Sequence, residues 1–398
     1  MSEINLESLD IRDFGKIVPT RMAVIEAAPD TPLPSADPIA ELAKALHPQT
    51  QYLLVESIVE RGEDAKSFTL IPNEACGTSS LAYFNAGQYL SVSLNIDGIV
   101  VAKPYSLCSA PADALLGRYV ITVKRTDYGF ASEYILDNWK VGDTVEVSGP
   151  QGTFTYEPLR DAAQVIGLAG GSGITPFYSL AAAIADGTED FALTLLYGSR
   201  TSDGTLLKEE FDALEAACPK IKVIHVLSDE EAEGFETGFI TADLIRKYTS
   251  DGDFSIFICG PQVMYNFVDR EIEKLGLPVR RVRHELFGEY KNPEKNSDYP
   301  QEAGGKEYAL KVCIREEIHE ITCSAIETLL VAMERAKIQA PARCRSGECG
   351  FCHSWLVSGD VYVPTPVDGR RLADLKFNYI HPCCTFPLSD IEIVVPSM

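Results

Sequence analysis

The spacing of apolar residues changes near Ala163, and that change limits the folds open to this chain. From Gln51 to about Leu159, apolar and polar residues alternate in short runs such as YLSVSL, YVITVK and DTVEVSG, separated by Gly, Pro, Asp and Asn. Alternation of this kind is typical of antiparallel strands that bury one face. Residues 51–159 are therefore predicted to form an antiparallel β-barrel or sandwich.

After Ala163, each apolar run is followed by a segment with helical spacing. Examples are QVIGLA before TPFYSLAAAIA, ALTLLYG before LKEEFDALEAA, and SIFICG before QVMYNFVDREIEKL. Strands that alternate with helices form βαβ units with a parallel sheet, which predicts an α/β domain over residues 160–290. A polar stretch rich in turn formers then predicts a linker over residues 291–305 and a final domain over residues 306–398.

Residues 1–50 precede both patterns and are predicted to form an extension without a core of its own. The stretch AAPDTPLPSADP has the Pro and Asp density of a linker. Ile39, Leu42 and Leu46 follow it at helical spacing and predict one short amphipathic helix. Its apolar face would pack on the chain itself or dock a partner.

The composition limits the cellular compartments and the classes of partner that suit this chain. The chain has 398 residues and a net charge of −23, which disfavours nucleic acid and anionic membranes because phosphate binding needs clustered Lys and Arg. The acidic start MSEINLESLD does not resemble a secretory signal, and no apolar run is long enough to span a bilayer. The eleven scattered cysteines suit thiols or metal ligands in a reducing compartment, so a cytoplasmic protein is predicted.

Three cysteines in the last domain carry the strongest metal signal. Cys344, Cys349 and Cys352 stand as C-x4-C-x2-C, and HPCCTF supplies a fourth thiol from Cys383 or Cys384. This is the ligand spacing of a plant-type 2Fe-2S cluster. Cys383 is favoured because its distance from the proline of CCTFPLSD resembles the ending of plant-type ferredoxins. The small residues between the ligands leave backbone amides free to point at the sulfurs.

Two other metal sites fit these residues less well. A structural zinc site usually takes two short C-x2-C hairpins, whereas here one ligand stands alone. His353 and His381 flank the cysteines and would suit a Rieske centre, but four thiols are already available, so packing or solvent contact is favoured for both. The predicted metal ligands are thus the four cysteines Cys344, Cys349, Cys352 and Cys383.

Two motifs in the barrel region resemble the ferredoxin-NADP reductase superfamily, whose flavin motif is Arg-x-Tyr-Ser followed later by Gly-x-x-Ser. Here they lie in KPYSLCSAP and VKRTDYGFASEYIL. The candidate flavin-binding residues are Lys103, Pro104, Tyr105, Ser106, Lys124, Gly129, Ala131 and Ser132. The resemblance implies that the flavin domain is a β-barrel.

The chemistry of these residues fits a flavin. An aromatic ring such as Tyr105 can lie on an isoalloxazine, and the Ser106 hydroxyl can hydrogen-bond its reactive edge. Ser132 is predicted to cap a helix that faces a pyrophosphate, which favours FAD over FMN. Lys103 replaces the arginine of the superfamily. A bidentate contact to phosphate is thus replaced by a single ammonium charge.

The α/β region carries the matching nicotinamide elements. GLAGGSGITP ends a strand and opens a helix, and its glycines permit close approach of a phosphate, although a plain tight turn is the alternative. Thr175 and Pro176 suit the cap and first position of that helix. The candidate dinucleotide-binding residues are Gly170, Gly171, Ser172, Gly173, Thr175, Pro176, Ser199, Arg200, Cys259, Gly260 and Pro261.

Two of these positions, and two residues farther along the chain, have more specific predicted roles. Arg200 would hold the 2′-phosphate of NADPH or only cover adenine, so NADPH and NADH both remain open. Cys259, in ICGP, resembles the superfamily's residue beside the nicotinamide ring, with an inert thiol as the alternative. Glu285 and Phe287, in HELF, resemble its residues near the flavin.

The resemblance covers all but the N-terminal extension, and its motifs occur in the order flavin, nicotinamide, ferredoxin. It implies a single-chain reductase that passes electrons from NAD(P)H through FAD to a 2Fe-2S cluster and on to a terminal protein acceptor, such as an oxygenase or a P450. The catalytic candidates are Tyr105, Ser106, Cys259 and Glu285. A zinc-containing dinucleotide sensor and a flavin reductase of small molecules are the alternative functions.

Overall fold

The computed structural model describes residues 11–28, 37–126, 129–249, 252–286 and 288–396. The chain forms two compact units, Met1–Ala45 and Leu46–Met398. No helix of these described segments is long and apolar enough to cross a membrane.

The described residues of the N-terminal unit form two helices where the sequence predicted one. Helix α1 spans Ile11–Glu26, and α2 spans Pro38–Leu46 and ends one residue into the second unit. Helix α2 confirms the predicted segment, and its Ile39, Leu42 and Leu46 are exposed. Helix α1 was missed because Pro19 lies inside it, and proline normally breaks a helix interior.

The predicted barrel region forms a six-stranded antiparallel sheet. Its strands are β1 (Thr50–Glu60), β2 (Ala65–Pro72), β3 (Tyr89–Ile96), β4 (Ile99–Ser106), β5 (Tyr119–Lys124) and β6 (Thr144–Ser148). The order is β4-β3-β6-β1-β2-β5, and a bridge between Leu107 and Ile121 brings the two ends together into a half-barrel. Two helices, α3 (Pro111–Leu115) and α4 (Phe130–Asn138), accompany it.

The second region forms the predicted parallel sheet. Its elements are β7 (Gln164–Gly170), α5 (Thr175–Ala185), β8 (Ala192–Ser199), α6 (Lys208–Ala217), β9 (Ile221–Leu227), β10 (Glu236–Thr237), α7 (Ala242–Tyr248), β11 (Ser255–Cys259), α8 (Gln262–Glu273) and β12 (Val282–Glu285). The order β10-β9-β8-β7-β11-β12 reverses direction at β7. Ligands of such sheets bind beyond the carboxyl ends of the strands at this reversal, where the glycine-rich segment follows β7.

The last region is an α+β domain with the β-grasp layout. Its elements are β13 (Glu307–Ile314), β14 (Glu317–Ser324), α9 (Leu329–Arg335), β15 (Ser354–Ser358), β16 (Val361–Tyr362), α10 (Leu372–Lys376), β17 (Tyr379–Ile380), β18 (Phe386–Pro387) and β19 (Ile391–Val395). In the main sheet, of order β14-β13-β19-β15-β17, the first and last long strands β13 and β19 are parallel. Leu329, Leu330 and Met333 of α9 are fully buried in the core below this sheet.

Residues 291–305, predicted as a linker, pack closely. Two short 3-10 turns, Pro293–Lys295 and Gln301–Ala303, run through this segment. Tyr299 and Ala303 are buried in a small core with Tyr362 and Phe386 of the last domain. The segment therefore attaches the last domain to the rest of the unit through apolar contacts as well as through the backbone.

Candidate functional site

A cavity of about 810 Å³ opens between the half-barrel and the last domain, and is called the barrel cavity here. It collects most of the residues predicted to bind a flavin, together with two from the glycine-rich segment. These are Lys103, Pro104, Tyr105, Ser106, Lys124, Gly129, Ala131, Ser132, Ser172 and Thr175. Strand β4 lies at one end of the sheet order. It carries Lys103, Pro104, Tyr105 and Ser106, all of which line the cavity.

Two residues that line this cavity, Ser106 and Glu294, each have a buried side-chain oxygen without a hydrogen-bond partner among the described residues, namely Ser106 Oγ and Glu294 Oε2. A buried polar atom without a partner is costly, so these two atoms fit a site that a ligand completes. Glu285 Oε1 is also buried without such a partner, but Glu285 lies outside the linings of both cavities. Tyr105 keeps its phenolic proton, because burial raises its pKa.

Helix α4 begins differently from the prediction. Its N-cap residue is Gly129, and Ser132 lies in the first turn, so the predicted capping role of Ser132 is wrong. The Ser132 hydroxyl instead donates to Gly129 O at 3.3 Å and lies 3.0 Å from Thr126 Oγ1. A Cβ at Gly129 would collide with both hydroxyls, so the turn needs glycine. Gly129 and Ser132 still line the barrel cavity at the amino end of the helix.

A second cavity of about 890 Å³ lies beyond the carboxyl ends of the parallel strands and is called the sheet cavity. Its lining includes six of the predicted residues, namely Lys124, Gly170, Gly171, Ser199, Arg200 and Pro261. Lys124 borders both cavities. The two predicted ligand sites therefore adjoin at this lysine.

Close packing explains the glycine-rich segment. Gly171 has φ +53°, in the left-handed region, and its carbonyl accepts a hydrogen bond from the Tyr197 hydroxyl at 3.1 Å. A Cβ at Gly173 would collide with the Cys259 carbonyl at the end of β11. A 3-10 turn over Gly171–Ile174 precedes α5, so Thr175 is the first helical residue rather than the cap, and Pro176 follows it in the first turn.

Cys259 and Glu285 are paired residues on the adjacent strands β11 and β12. Both are buried and lie outside the linings of the two cavities, as do Gly173 and Pro176. Burial raises the pKa of Glu285 well above its usual value, and the charges of Glu348 and Cys344 raise it further. Gly260 donates its N–H to the Tyr265 hydroxyl at 3.1 Å. Phe287 lies outside the described residues.

Arg200, the residue that could recognise a 2′-phosphate, forms an ion pair. Its Nε donates to Asp229 Oδ2 at 2.8 Å, and the Ser228 hydroxyl donates to the other carboxylate oxygen at 2.7 Å. Both Arg200 and Asp229 line the sheet cavity. The cavity thus holds an acid beside the predicted cation, which the sequence did not indicate.

The four cysteines predicted as metal ligands meet in the last domain. Cys352 Sγ lies 3.5 Å from Cys383 Sγ. Hydrogen bonds from the thiols of Cys349 and Cys383 lower the pKa of Cys344, and the pKa values of those two donors are raised in turn. These cysteines thus form hydrogen bonds with one another, which requires them to lie close together. Cysteines that bind one metal as thiolates need the same proximity. The Cys384 thiol donates to His381 O at 3.5 Å and also lies beside the Cys383 thiol and Gly347 of the cysteine loop.

Backbone amides surround these sulfurs, as the sequence predicted. Ser346 and Cys349 each donate an N–H to Cys344 Sγ at 3.4 Å, and Phe351 donates to Cys349 Sγ at 3.5 Å. The loop bends through Gly347 at φ +80°, where a Cβ would collide with Val367 O. Such donors stabilise negative charge on sulfur and hold the loop in shape.

The two flanking histidines have protein partners. His353 stacks on Tyr379 with ring centroids 4.1 Å apart, and its Nε2 lies 2.9 Å from Asp374 Oδ1. His381 Nδ1 lies 2.6 Å from Gly347 O. Packing of both residues is what the sequence favoured over a Rieske centre.

Comparison with known proteins identifies the three regions. Family models match an oxidoreductase FAD-binding domain at residues 53–156, an oxidoreductase NAD-binding domain at residues 168–270 and a 2Fe-2S iron-sulfur cluster binding domain at residues 314–388. The ferredoxin reductase component of 3-ketosteroid-9-alpha-monooxygenase from Rhodococcus rhodochrous is 30% identical, and the alignment covers 85% of this chain and 94% of that protein. The chain belongs to the iron-sulfur flavoprotein reductase family of that component.

Other members of the reductase family share the architecture. The glycine betaine monooxygenase reductase from Pseudomonas aeruginosa is 25% identical over 84% of this chain and 93% of its own. The solved structure of phthalate dioxygenase reductase, described as transferring electrons from pyridine nucleotides to [2Fe-2S], is 26% identical with a TM-score of 0.62, covering 87% of this chain and 98% of that one. The predicted family, three-domain fold, cofactors and electron route from NAD(P)H are confirmed.

The residues of this reductase suit the groups that its family carries. The orphaned Ser106 and Glu294 oxygens, the glycine-rich segment and the four thiols have the donor chemistry that a flavin, a dinucleotide and a 2Fe-2S cluster need. When bound, FAD takes two electrons from NAD(P)H and releases them singly, and the cluster accepts one at a time.

The protein's own side chains position these groups. Tyr105 and Ser106 present a ring and a hydroxyl to the barrel cavity, while the glycine-rich segment presents its backbone at the amino end of α5. Glu285 is buried, and its Oε1 has no hydrogen-bond partner among the described residues. Residues 344–352 are called the ligand loop here. The buried thiols of Cys344, Cys352 and Cys383 exclude water from one side of this loop.

Sequence reasoning missed several charged residues at the barrel cavity. Three of them, Glu289, Glu334 and Arg345, line it beside Lys103. Arg345 directly follows Cys344, and a cation next to a predicted ligand was the available signal. Glu289 and Glu334 come from distant parts of the chain, and no local pattern marks them.

Proposed function

We propose that this reductase donates single electrons to the oxygenase component of a separate enzyme system in the cytoplasm. The relatives reported above are, by name, the reductases of two monooxygenases and of a dioxygenase. All eleven cysteines are free thiols, which suits a reducing compartment.

One structural observation carries the proposal. Three of the four predicted ligand cysteines are buried, whereas Cys349 is exposed. Next to Cys349, Glu348 Oε1 accepts a hydrogen bond at 2.8 Å from Thr153 Oγ1 of the flavin domain. The loop therefore touches the flavin domain and still has one exposed ligand cysteine at which a partner can dock. An electron carrier between an internal donor and an external acceptor needs both features.

The proposed residue roles follow from the same geometry. Cys344, Cys349, Cys352 and Cys383 hold the cluster, Tyr105 and Ser106 contact the flavin, and the segment from Gly170 to Pro176 with Cys259 receives the dinucleotide. The last domain, from Lys306 onward, has twelve acids and ten bases, a net charge of −2. Its docking on an oxygenase should therefore depend only moderately on salt.

The adjacent Cys383 and Cys384 provide a matched pair of variants for a test. In Cys383→Ser we expect loss of the 2Fe-2S electron paramagnetic resonance signal and of cytochrome c reduction, because a ligand is removed. Cys384→Ser should keep both, and both variants should keep flavin reduction by NAD(P)H, measured anaerobically by absorbance. If Cys383→Ser still reduced cytochrome c at the rate of the unmodified protein, electrons would leave from the flavin and the proposal would be wrong.

A further inference from the structure

Four charged side chains are buried together where the three domains meet, and we call them the charge cluster. Lys103 comes from β4 of the flavin domain, and Glu289 follows the last strand of the nicotinamide domain. Glu334 lies on α9 of the ferredoxin domain, and Arg345 lies in the ligand loop. The Arg345 side chain is 1% exposed, and the other three are 20% exposed or less. Each domain contributes at least one charge.

The contacts within the charge cluster are short and mutually compensating. Arg345 donates Nη1 and Nη2 to the two carboxylate oxygens of Glu334 at 2.6 and 2.7 Å, and its Nε donates to Glu289 Oε1 at 2.6 Å. Lys103 Nζ donates to the same Glu289 oxygen at 2.5 Å. Two acids and two bases leave no net charge. Buried charges are tolerated only with such partners, so the four residues depend on one another.

The charge cluster links the ligand loop to the strand that carries the flavin motif. Arg345 directly follows Cys344, and its Nη1 also donates to the Ala102 carbonyl of β4 at 3.3 Å. Tyr105 follows Ala102 by three residues on the same strand. All four charged residues line the barrel cavity. The distance between the two sites thus depends on these contacts.

Other hydrogen bonds connect the ferredoxin domain to the flavin domain outside the charge cluster. Lys337 Nζ donates to Asp97 O at 3.0 Å, Arg343 Nη1 to Gln151 Oε1 at 3.1 Å, and Ser91 Oγ to Arg343 O at 3.3 Å. Each of these contacts is one hydrogen bond between partly or fully exposed groups, whereas the charge cluster has several hydrogen bonds between buried side chains. Among these polar contacts, the charge cluster therefore provides the most buried bonds to the ferredoxin domain.

Lys103 occupies the place of the superfamily's phosphate-gripping arginine, but its ammonium is already paired. Burial raises the pKa of Glu289, yet the charges of Arg345 and Lys103 outweigh burial and hold it well below its usual value, so Glu289 stays charged. A phosphate would therefore compete with the Glu289 carboxylate for the Lys103 ammonium.

We propose that the charge cluster fixes the ferredoxin domain against the flavin domain for electron transfer, and that Lys103 is a positioning residue within it rather than a ligand of the flavin phosphate. The proposal uses the electron route of the family and does not depend on which oxygenase accepts the electrons.

The full-length holoprotein with Glu289→Gln tests this assignment. The substitution keeps the size of the side chain and removes the charge that holds Lys103 and Arg345. We expect the anaerobic stopped-flow rate of flavin reduction by NADH to stay within about 2-fold, and cluster reduction to slow at least about 10-fold as the docked geometry loosens. Amide hydrogen exchange of the holoprotein should quicken in Ile99–Ser106 and in the ligand loop. Unchanged cluster reduction or unchanged exchange would overturn the proposal.

A second variant, Lys103→Met, separates the two roles of the lysine and removes a charge at the edge of the cluster. The proposal requires slower cluster reduction with an FAD dissociation constant within about 3-fold of the unmodified value, since no phosphate contact is lost. FAD binding weakened at least about 10-fold would show that Lys103 grips the phosphate, and would overturn its positioning role. Glu392→Gln, which breaks the exposed Lys311–Glu392 pair of the same domain, is the control and should change none of these quantities.

Discussion

Ser106 shows at the scale of one residue how this protein is built for a bound group. Its hydroxyl is buried without a described protein partner, at the end of the strand that carries the flavin motif. Ser179 on α5 also has a buried hydroxyl without a described partner, but it lies outside the linings of both cavities. The two serines are chemically alike and differ in whether a cofactor can reach them.

This difference leads to a prediction for Ser106→Ala. Without the flavin, the variant should be as stable as the unmodified apoprotein or slightly more so, because an unsatisfied buried hydroxyl is removed. With the flavin, the dissociation constant of FAD should rise about 3- to 10-fold, the usual worth of one hydrogen bond. Thermal unfolding of the apoprotein and titration with FAD provide the two measurements.

Ser179→Ala is the matched control for this prediction. It should change apoprotein stability in the same direction and leave FAD binding unaltered. Equal FAD affinities for Ser106→Ala and the control would show that the Ser106 hydroxyl does not contact the flavin.

At the scale of an element, strand β9 buries a histidine that responds to pH. The His225 ring contacts the rings of Tyr197 and Phe235 in tilted arrangements, and its nitrogens have no hydrogen-bond partner among the described residues. Burial lowers its pKa, and the charge of Lys208 lowers it further, while Asp212, 3.9 Å from Nε2, acts in the opposite direction. The folded protein therefore binds this proton less readily than the unfolded chain does.

The sign of the resulting pH dependence follows from this difference. Stability from the neutral ring is complete above about pH 6.5 and falls as the pH drops below it, by at most about 1.4 kcal/mol per pH unit. In His225→Phe, which keeps an aromatic ring, we expect a smaller loss of the urea midpoint between pH 7.5 and 5.5. His319→Phe, at a half-exposed position, should retain the full loss. Identical losses in both variants would assign the pH dependence to other groups.

The elements also show what could be predicted from the sequence. Alternating and helical spacings are local, so they indicated the half-barrel, the parallel sheet and the segment of α2, and the cysteine spacing indicated the ligand loop. Helix α1 was hidden by Pro19, and the start of α4 was misplaced by three residues because Gly129 rather than Ser132 caps it. Glu289 and Arg345, 56 positions apart, meet only through the tertiary fold.

At the scale of the whole molecule, the three regions divide the handling of electrons. The flavin takes up two electrons and the cluster one, so complete reduction needs three per chain. An anaerobic titration should therefore end at about 1.5 equivalents of NAD(P)H per chain. Absorbance of both groups gives the end point. An end point at one equivalent in fully loaded protein would mean that the cluster is not reduced by this route.

The position of β4 at one end of the flavin-domain sheet has a consequence for the fused chain. Two carbonyls, Ala102 O in β4 and Asp97 O in the turn before it, accept hydrogen bonds from Arg345 and Lys337 of the ferredoxin domain. An open strand edge is a template for pairing with like copies. The fused ferredoxin domain thus covers part of β4, at the end away from its bridge to β5, and a flavoprotein separated from it would expose that part for pairing with another copy.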